Sequence, residues 1–217
     1  MNTPAIGKEN APETIRNEAA FLFSYDIKPG MQADFERGYE RHLEWHRKAG
    51  DPFAWYGWYV VTGDDTGRFV DGTFGLSFAD FDDRVSPWED MQDAVENVSP
   101  YVEPVNRSVL RLRGDLSSGF QLQKRSPSRM IEVTTFEVRA GRESEFEAAI
   151  RSASAEGAST ATWYELVSGG DTPAYLRMIP GDGFAMYKDV RVLGAGISVI
   201  TAHSETWLYK ENLSYIP

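Results

Sequence analysis

The sequence predicts an α+β fold: two βαββαβ units in tandem, packed sheet to sheet within one chain. Three internal matches, in the same order along the chain, predict it. YDIKPGMQADFE (25–36) and FEVRAGRESEFE (136–147) both run aromatic, acid, β-branched, base, X, Gly, and close on the same Phe-Glu. AWYGWYVVTGDD (54–65) pairs with TWYELVSGGDT (162–172), aligning Trp55-Tyr56 with Trp163-Tyr164, and SVLRLRGDLS (108–117) pairs with SETWLYKENLS (204–214). Ordered self-similarity of this kind is the mark of a duplicated structural unit.

Each element of the first copy has its own justification. FLFSYDI alternates apolar and polar residues as a half-buried strand does, and Pro29-Gly30 ends it. A helix follows from about residue 31 to 49, stopped by Gly50 and Pro52. FAWYGWYVV and RFVDGTFGLSF are aromatic and β-branched, and the GDDTG turn between them makes them a hairpin. SPWE (86–89) predicts a capping box, with Ser86 at N-cap, Pro87 at N1 and Glu89 at N3. Trp88, Met91, Val95 and Val98 then recur at helical spacing, and SVLRLRG closes the unit as a strand. The second copy repeats the order with a shorter helix near 183–193. The predicted organisation is a polar, loosely ordered tail (1–19), a first unit (20–114), a Ser- and Gly-rich linker (115–128) and a second unit (129–217).

Bulk composition narrows function. With 217 residues, 41% hydrophobic and 25% charged, the chain can bury a large core. Its net charge of −11 repels phosphate backbones, so no nucleic-acid partner is expected. No apolar run reaches the length of a membrane span, no membrane association is expected, and a cytoplasmic location is the default. The absence of Cys excludes disulfides, thiolate metal sites and Cys nucleophiles. No phosphate loop, nucleophile elbow or dinucleotide fingerprint is present, so no cofactor is expected on those grounds.

The βαββαβ order is that of the ferredoxin-like unit, with both helices on one face of an antiparallel sheet. Lys28-Pro29-Gly30 with Phe35-Glu36, and Ala140-Gly141 with Phe146-Glu147, resemble the strand–Gly–helix–Phe-Glu opening of antibiotic-biosynthesis monooxygenase-like, EthD-like and NIPSNAP-like proteins. The chain thus resembles the dimeric α+β barrel superfamily, in a tandem version where one chain supplies both halves. The resemblance implies an intrachain barrel; further homodimerisation is allowed but not required. It also brings haem into question, because chlorite-dismutase-like relatives carry an iron-ligating His in the second half. The helices of this second copy contain none.

The chain has 3 histidines, and two of them, His42 and His46, lie in RHLEWHRKAG (41–50). At ~100° per residue, Phe35, Tyr39, His42 and His46 fall within an arc of about 60°, which turns both imidazoles toward the sheet. Shifting copy one onto copy two through Gly30 and Gly141 sets His42 on Ala153 and His46 on Gly157. The scaffold therefore does not require histidine there. Two uses compete: a structural pair satisfied by Tyr25, Tyr56 or Asp71, and a functional pair.

If functional, His42 and His46 are the candidate catalytic residues, one of them a general base near neutral pH. The expected ligand is a small hydrophobic, aromatic or polyketide-like molecule, and the expected chemistry is proton transfer leading to cofactor-independent oxygenation, isomerisation, cyclisation or lyase reactions. Candidate substrate-binding residues are Tyr25, Tyr39, Tyr56, Trp58, Arg68 and Asp71. Asp71, on the face shared with Phe69 and Thr73, either pairs with a histidine or arginine or lies at a solvated hairpin end. Arg107, Arg111 and Arg113 alternate on the closing strand, as an anion site or a solvated edge. The sharpest alternative is a metal held by His42 and His46, with a third ligand from His203, Asp26, Asp71 or Glu165. The other is a non-catalytic binding or structural barrel.

Overall fold

The computed structural model describes residues 18–119, 127–157, 160–188, 196 and 198–217. The first unit runs β1 (Ala19–Ile27), α1 (Gln32–Ala49), β2 (Tyr56–Thr62), β3 (Phe69–Leu76), α2 (Pro87–Asn97) and β4 (Val102–Leu112). The second runs β5 (Met130–Val138), α3 (Glu143–Ala155), β6 (Thr162–Ser168), β7 (Ala174–Gly181) and β8 (Val199–Tyr209). Gly30 and Gly141, the aligned glycines of the repeat, both turn the chain at positive φ (79° and 80°), where a side chain would be strained.

All eight strands close into one antiparallel barrel in the order β1-β3-β2-β8-β5-β7-β6-β4. The two four-stranded sheets therefore do more than face each other. They join edge to edge, through pairs such as Trp58–Tyr209 between β2 and β8 and Leu112–Tyr164 between β4 and β6. Closure removes the open edges that invite association with other chains. A single chain completes the ring.

Strand alternation sorts side chains into three layers. Leu22, Trp58, Val70, Phe74, Ile131, Leu176 and Trp207 fill the barrel interior. Phe35, Tyr39, Leu43, Tyr59 and Phe69 fill the layer between the first sheet and its helices. Phe136, Phe146, Ile150, Trp163 and Tyr175 do the same in the second unit.

Several expectations are corrected. Ser86 does precede α2 and Pro87 starts it, but Ser86 sits at φ 38° and its hydroxyl makes no cap, so the capping box is not formed. A capping box exists earlier in the chain, between Ser77 and Asp80. The apolar stripe of α2 is not its buried face either: Trp88, Met91 and Val95 are exposed, while Asp90 is buried. Of the second-unit helix expected near 183–193, the described part, Phe184–Lys188, is a 3₁₀ turn; residues 189–195 lie outside the described residues. The same holds for the polar tail up to residue 17 and for linker residues 120–126. The start of the linker is not loose: Leu116 is buried in the second-unit core, and Ser118 and Gly119 both donate backbone N–H groups to Ala161 O. Among the described residues, no helix is long and apolar enough to cross a membrane.

The placement of α2 depends on one glycine. A Cβ on Gly38 would lie 2.0 Å from the Asn97 carbonyl oxygen and 2.8 Å from the Tyr101 ring, so only glycine lets α1 and the end of α2 approach this closely. The aligned residue in the second unit is Ala149. Gly38→Ala is expected to cost about 1–3 kcal/mol through overpacking, read as a lower urea midpoint.

Candidate active site

The inward arc of α1 is as the helical period predicts: Phe35, Tyr39, His42 and His46 are all buried. Gly50 ends the helix in the left-handed region and the chain turns back under its last residues, delivering Asp51 to His46. His46 Nδ1 donates to Asp51 Oδ2 at 2.7 Å. The same carboxylate accepts Trp55 Nε1–H at 2.9 Å and the Phe53 backbone N–H at 2.9 Å. Burial opposes ionisation of Asp51, but these three donors outweigh it and hold its carboxyl below the ordinary value.

His42 Nδ1 donates to Asp93 Oδ1 on α2 at 2.8 Å. Burial and the neighbouring His46 lower the His42 pKa, against the pull of Asp93 and Asp90. The Nε2 atoms of both rings turn toward Asp90 Oδ1, each at 3.5 Å. Asp90 Oδ2 is taken by Arg84, whose guanidinium also lies 5.7 Å above the Trp55 ring. The partners expected for the histidines, Tyr25, Tyr56 or Asp71, are thus replaced by Asp93, Asp51 and Asp90.

Asp71 occupies the middle of β3 and is buried, not a solvated hairpin end. Its Oδ2 accepts the Tyr39 hydroxyl at 2.7 Å, while Oδ1 has no hydrogen-bond partner among the described residues. Burial is the largest influence on this carboxyl and, with Asp90 nearby, pushes it up to about 7 despite the Tyr39 bond. The Tyr25 and Tyr39 hydroxyls are pushed up by burial first and by Asp71 second. By strand register the second-unit counterpart of Asp71 is Arg177, since Phe23 faces Asp71 and Thr134 faces Arg177. Arg177 is paired with Glu132 at 3.0 Å. The second unit thus carries an ion pair where the first carries an acid with no basic partner among the described residues.

These groups surround a cavity of about 230 Å³ between the first sheet and its two helices. Asp71, Tyr25, Arg107, His42, His46 and Asp90 line its polar side; Phe23, Trp55, Met91 and Val95 line its apolar side. Met91 and Val95 are both exposed, so the apolar stripe of α2 forms the rim. Arg107 lies 5.4 Å over the Phe23 ring and makes no ion pair among the described residues.

Of the residues singled out in sequence, the structure brings Tyr25, Tyr39, His42, His46 and Asp71 together. Tyr56 and Trp58 lie in the barrel interior, on the other face of the sheet. Arg68 pairs with Asp26 and Asp65 by the hairpin turn. Of the proposed third metal ligands, His203 is paired with Glu205, Asp26 with Arg68, and Glu165 lies near Arg111 and Arg113. Sequence reasoning misses three aspartates of the site. Asp51 is hidden in an ordinary Gly-Asp-Pro turn, and Asp90 and Asp93 by the apolar stripe beside them. Their spacing is the signal that could have found the last two: residues three apart on a helix share a face, as His42 and His46 do at four.

No protein-family model and no curated protein matches the sequence. Solved structures do match along most of its length. One is a candidate monooxygenase from Fusobacterium nucleatum, 8% identical, with a TM-score of 0.60 over 89% of this chain and 93% of that one. An anthrone oxidase-like protein is 12% identical, with a TM-score of 0.55 over 90% and 92%. A haem-binding protein from Thermus thermophilus is 9% identical, with a TM-score of 0.53 over 91% and 92%. This chain has the fold of a tandem α+β barrel. At such identities the likeness establishes the fold of the barrel and leaves its chemistry to its own residues.

Those residues do not fit haem in the second unit. Phe136, Phe146, Trp163, Tyr175 and Ile179 pack the space between α3 and its sheet. The single second-unit histidine, His203, lies on β8 and is tied to Glu205 at 3.0 Å.

Proposed function

We propose that the barrel is an enzyme that moves a proton on a small hydrophobic molecule bound in the first-unit cavity, with Asp71 as the base. The observation that carries this is a buried carboxyl that lines a cavity with an apolar rim and keeps one oxygen without a hydrogen-bond partner among the described residues. A general base works best with a pKa near the working pH, and burial places Asp71 at about 7. The histidines, proposed from sequence for this task, have their Nδ1 atoms committed to carboxylates and their Nε2 atoms directed at Asp90.

The substrate class that suits the cavity has an acidic C–H beside a carbonyl or a phenolic ring. Asp71 Oδ1 takes the proton, and the electron pair of the C–H bond moves onto the substrate oxygen. Arg107 and the Tyr25 hydroxyl line the same cavity and supply a cation and a hydrogen-bond donor for the enolate. Return of the proton to another carbon completes an isomerisation or cyclisation. The monooxygenase and oxidase names of two structural neighbours favour instead a carbanion that is oxidised by dioxygen.

Proton abstraction is measurable without knowing the product. Enolisable aromatic ketones and anthrone-like phenols, incubated with the protein in D₂O, are expected to exchange their acidic C–H for deuterium by NMR. Tyr25→Phe should slow exchange by about 10-fold, somewhat less than the loss of a fully engaged oxyanion donor. A panel that binds by native mass spectrometry yet shows no exchange above buffer would reject the enzyme in favour of a binding protein.

A further inference from the structure

Hydrogen bonding fixes the tautomer of both α1 histidines. Each Nδ1 faces a carboxylate at hydrogen-bond distance, Asp93 at 2.8 Å for His42 and Asp51 at 2.7 Å for His46, and so carries the proton. Each Nε2 is then a lone pair. Both lone-pair atoms lie 3.5 Å from one oxygen, Asp90 Oδ1. That oxygen is buried and has no hydrogen-bond partner among the described residues. Three acceptors thus converge with no donor between them, an arrangement that is costly when buried.

We propose that this point binds a first-row divalent transition-metal cation through His42 Nε2, His46 Nε2 and Asp90 Oδ1. The three ligand atoms all lie within 4.8 Å of one another. A tetrahedral ion with ligands at ~2.0–2.2 Å needs ligand–ligand edges of roughly 3.3–3.6 Å, which the two 3.5 Å separations to Asp90 already meet. Two imidazoles and one carboxylate suit zinc, iron or cobalt better than magnesium or calcium, which prefer oxygen alone.

The surroundings are those of a metal site. Asp93 and Asp51 hold the rings by their far nitrogens, the usual way a ligating histidine is oriented. Asp51 is itself fixed by Trp55 and the Phe53 backbone. Charge points the same way. Of Asp51, Asp90 and Asp93, one is paired with a guanidinium, that of Arg84, which leaves two carboxylates without a cationic partner while both imidazoles are neutral. Two imidazolium protons would cancel them too, but would set like charges on rings whose centroids are 4.8 Å apart. A single dication between the rings avoids that repulsion. Three protein ligands leave a coordination position open, and the ligands line the cavity. The site stands whether or not Asp71 is a base.

The test is calorimetric titration of chelator-treated protein with Zn²⁺ and Co²⁺. One site per chain is expected, with Kd below ~1 μM, a higher melting temperature on loading, and X-ray absorption of the zinc form showing two imidazoles. His46→Gln and Asp90→Asn should each weaken binding by at least ~100-fold, and Asp93→Asn by roughly 10-fold, since outer partners cost 10–100-fold. Circular dichroism checks that each variant is folded. The rival group of convergent donors, Asp65, His203 and Glu205, supplies the control. His203→Gln should leave binding unchanged. Absence of a site in the wild type, zinc without imidazole ligands, unchanged binding in folded His46→Gln, or loss of binding in His203→Gln would each overturn the proposal.

Discussion

Asp71→Asn is expected to abolish proton abstraction and, at the same time, to stabilise the protein at pH 8. Asparagine keeps the shape and can still accept the Tyr39 hydroxyl, so the change removes little besides the charge. The loss of a positioned base costs ~10²–10⁴-fold in rate. The gain in stability follows from linkage. The folded carboxyl sits at about 7 against an ordinary 3.8, so the unfolded chain gives up this proton first. Asp71 therefore weakens the fold progressively as pH rises from about 4 to about 7, and by a constant amount above that. Between those limits the linkage corresponds to at most roughly 4 kcal/mol, and a gain of about 2–4 kcal/mol in Asp71→Asn is expected at pH 8, nearly vanishing at pH 4. Denaturant melts at the two pH values check this beside the deuterium-exchange assay. A variant that loses stability at pH 8 while keeping exchange would show Asp71 to be structural.

Asp51→Ala should act in the opposite sense and lose more. Its carboxylate accepts from His46, Trp55 and the Phe53 backbone, and alanine would orphan all three donors in a buried place. At ~1–3 kcal/mol per unsatisfied group, partly relieved by relaxation, the expected loss is about 3–5 kcal/mol. For a chain of this size that lowers the melting temperature by roughly 10 °C or more. The pH dependence also reverses. Because the folded carboxyl is held below its ordinary value, its contribution is complete above the unfolded pKa near 3.8 and is lost as pH falls through the folded one. The variant's stability should thus fall less on acidification than the parent's. Equal acid sensitivity in both would show that the donors do not stabilise the charge.

The fold and the inward histidines were legible because they follow from periodicity. A 3.6-residue repeat places Phe35, Tyr39, His42 and His46 on one stripe whatever they pack against. A two-residue repeat likewise gave Asp71 its face. Their partners were not legible, because those depend on tertiary crossings. Asp93 and Asp90 reach the histidines only because Gly38 lets α2 lie against α1. The apolar stripe of α2 misled for a related reason: Met91 and Val95 rim a cavity instead of entering a core, so the hydrophobic side is not the buried one. Tyr56 and Trp58 share aromatic character with Tyr25, but only strand pairing decides which aromatic residues face the helices and which face the barrel axis.

The segment that follows β8 gives the first-unit site an order of assembly. Tyr215 pairs its backbone with Trp55, at 2.7 Å in both directions, and its hydroxyl donates to the Asp51 carbonyl at 2.8 Å. Ser214 accepts the Gly57 N–H at 2.9 Å, and Asn212 donates to Glu40 on α1 at 2.9 Å. These residues leave the ribosome after every strand of both units. A nascent first unit, with all its histidines and aspartates made, still lacks the strap beneath Asp51 and His46. Completion of these contacts therefore waits on synthesis of the second unit, and a ribosome stalled in the linker would hold a half-barrel in which Asp51 and Trp55 still lack their C-terminal partners.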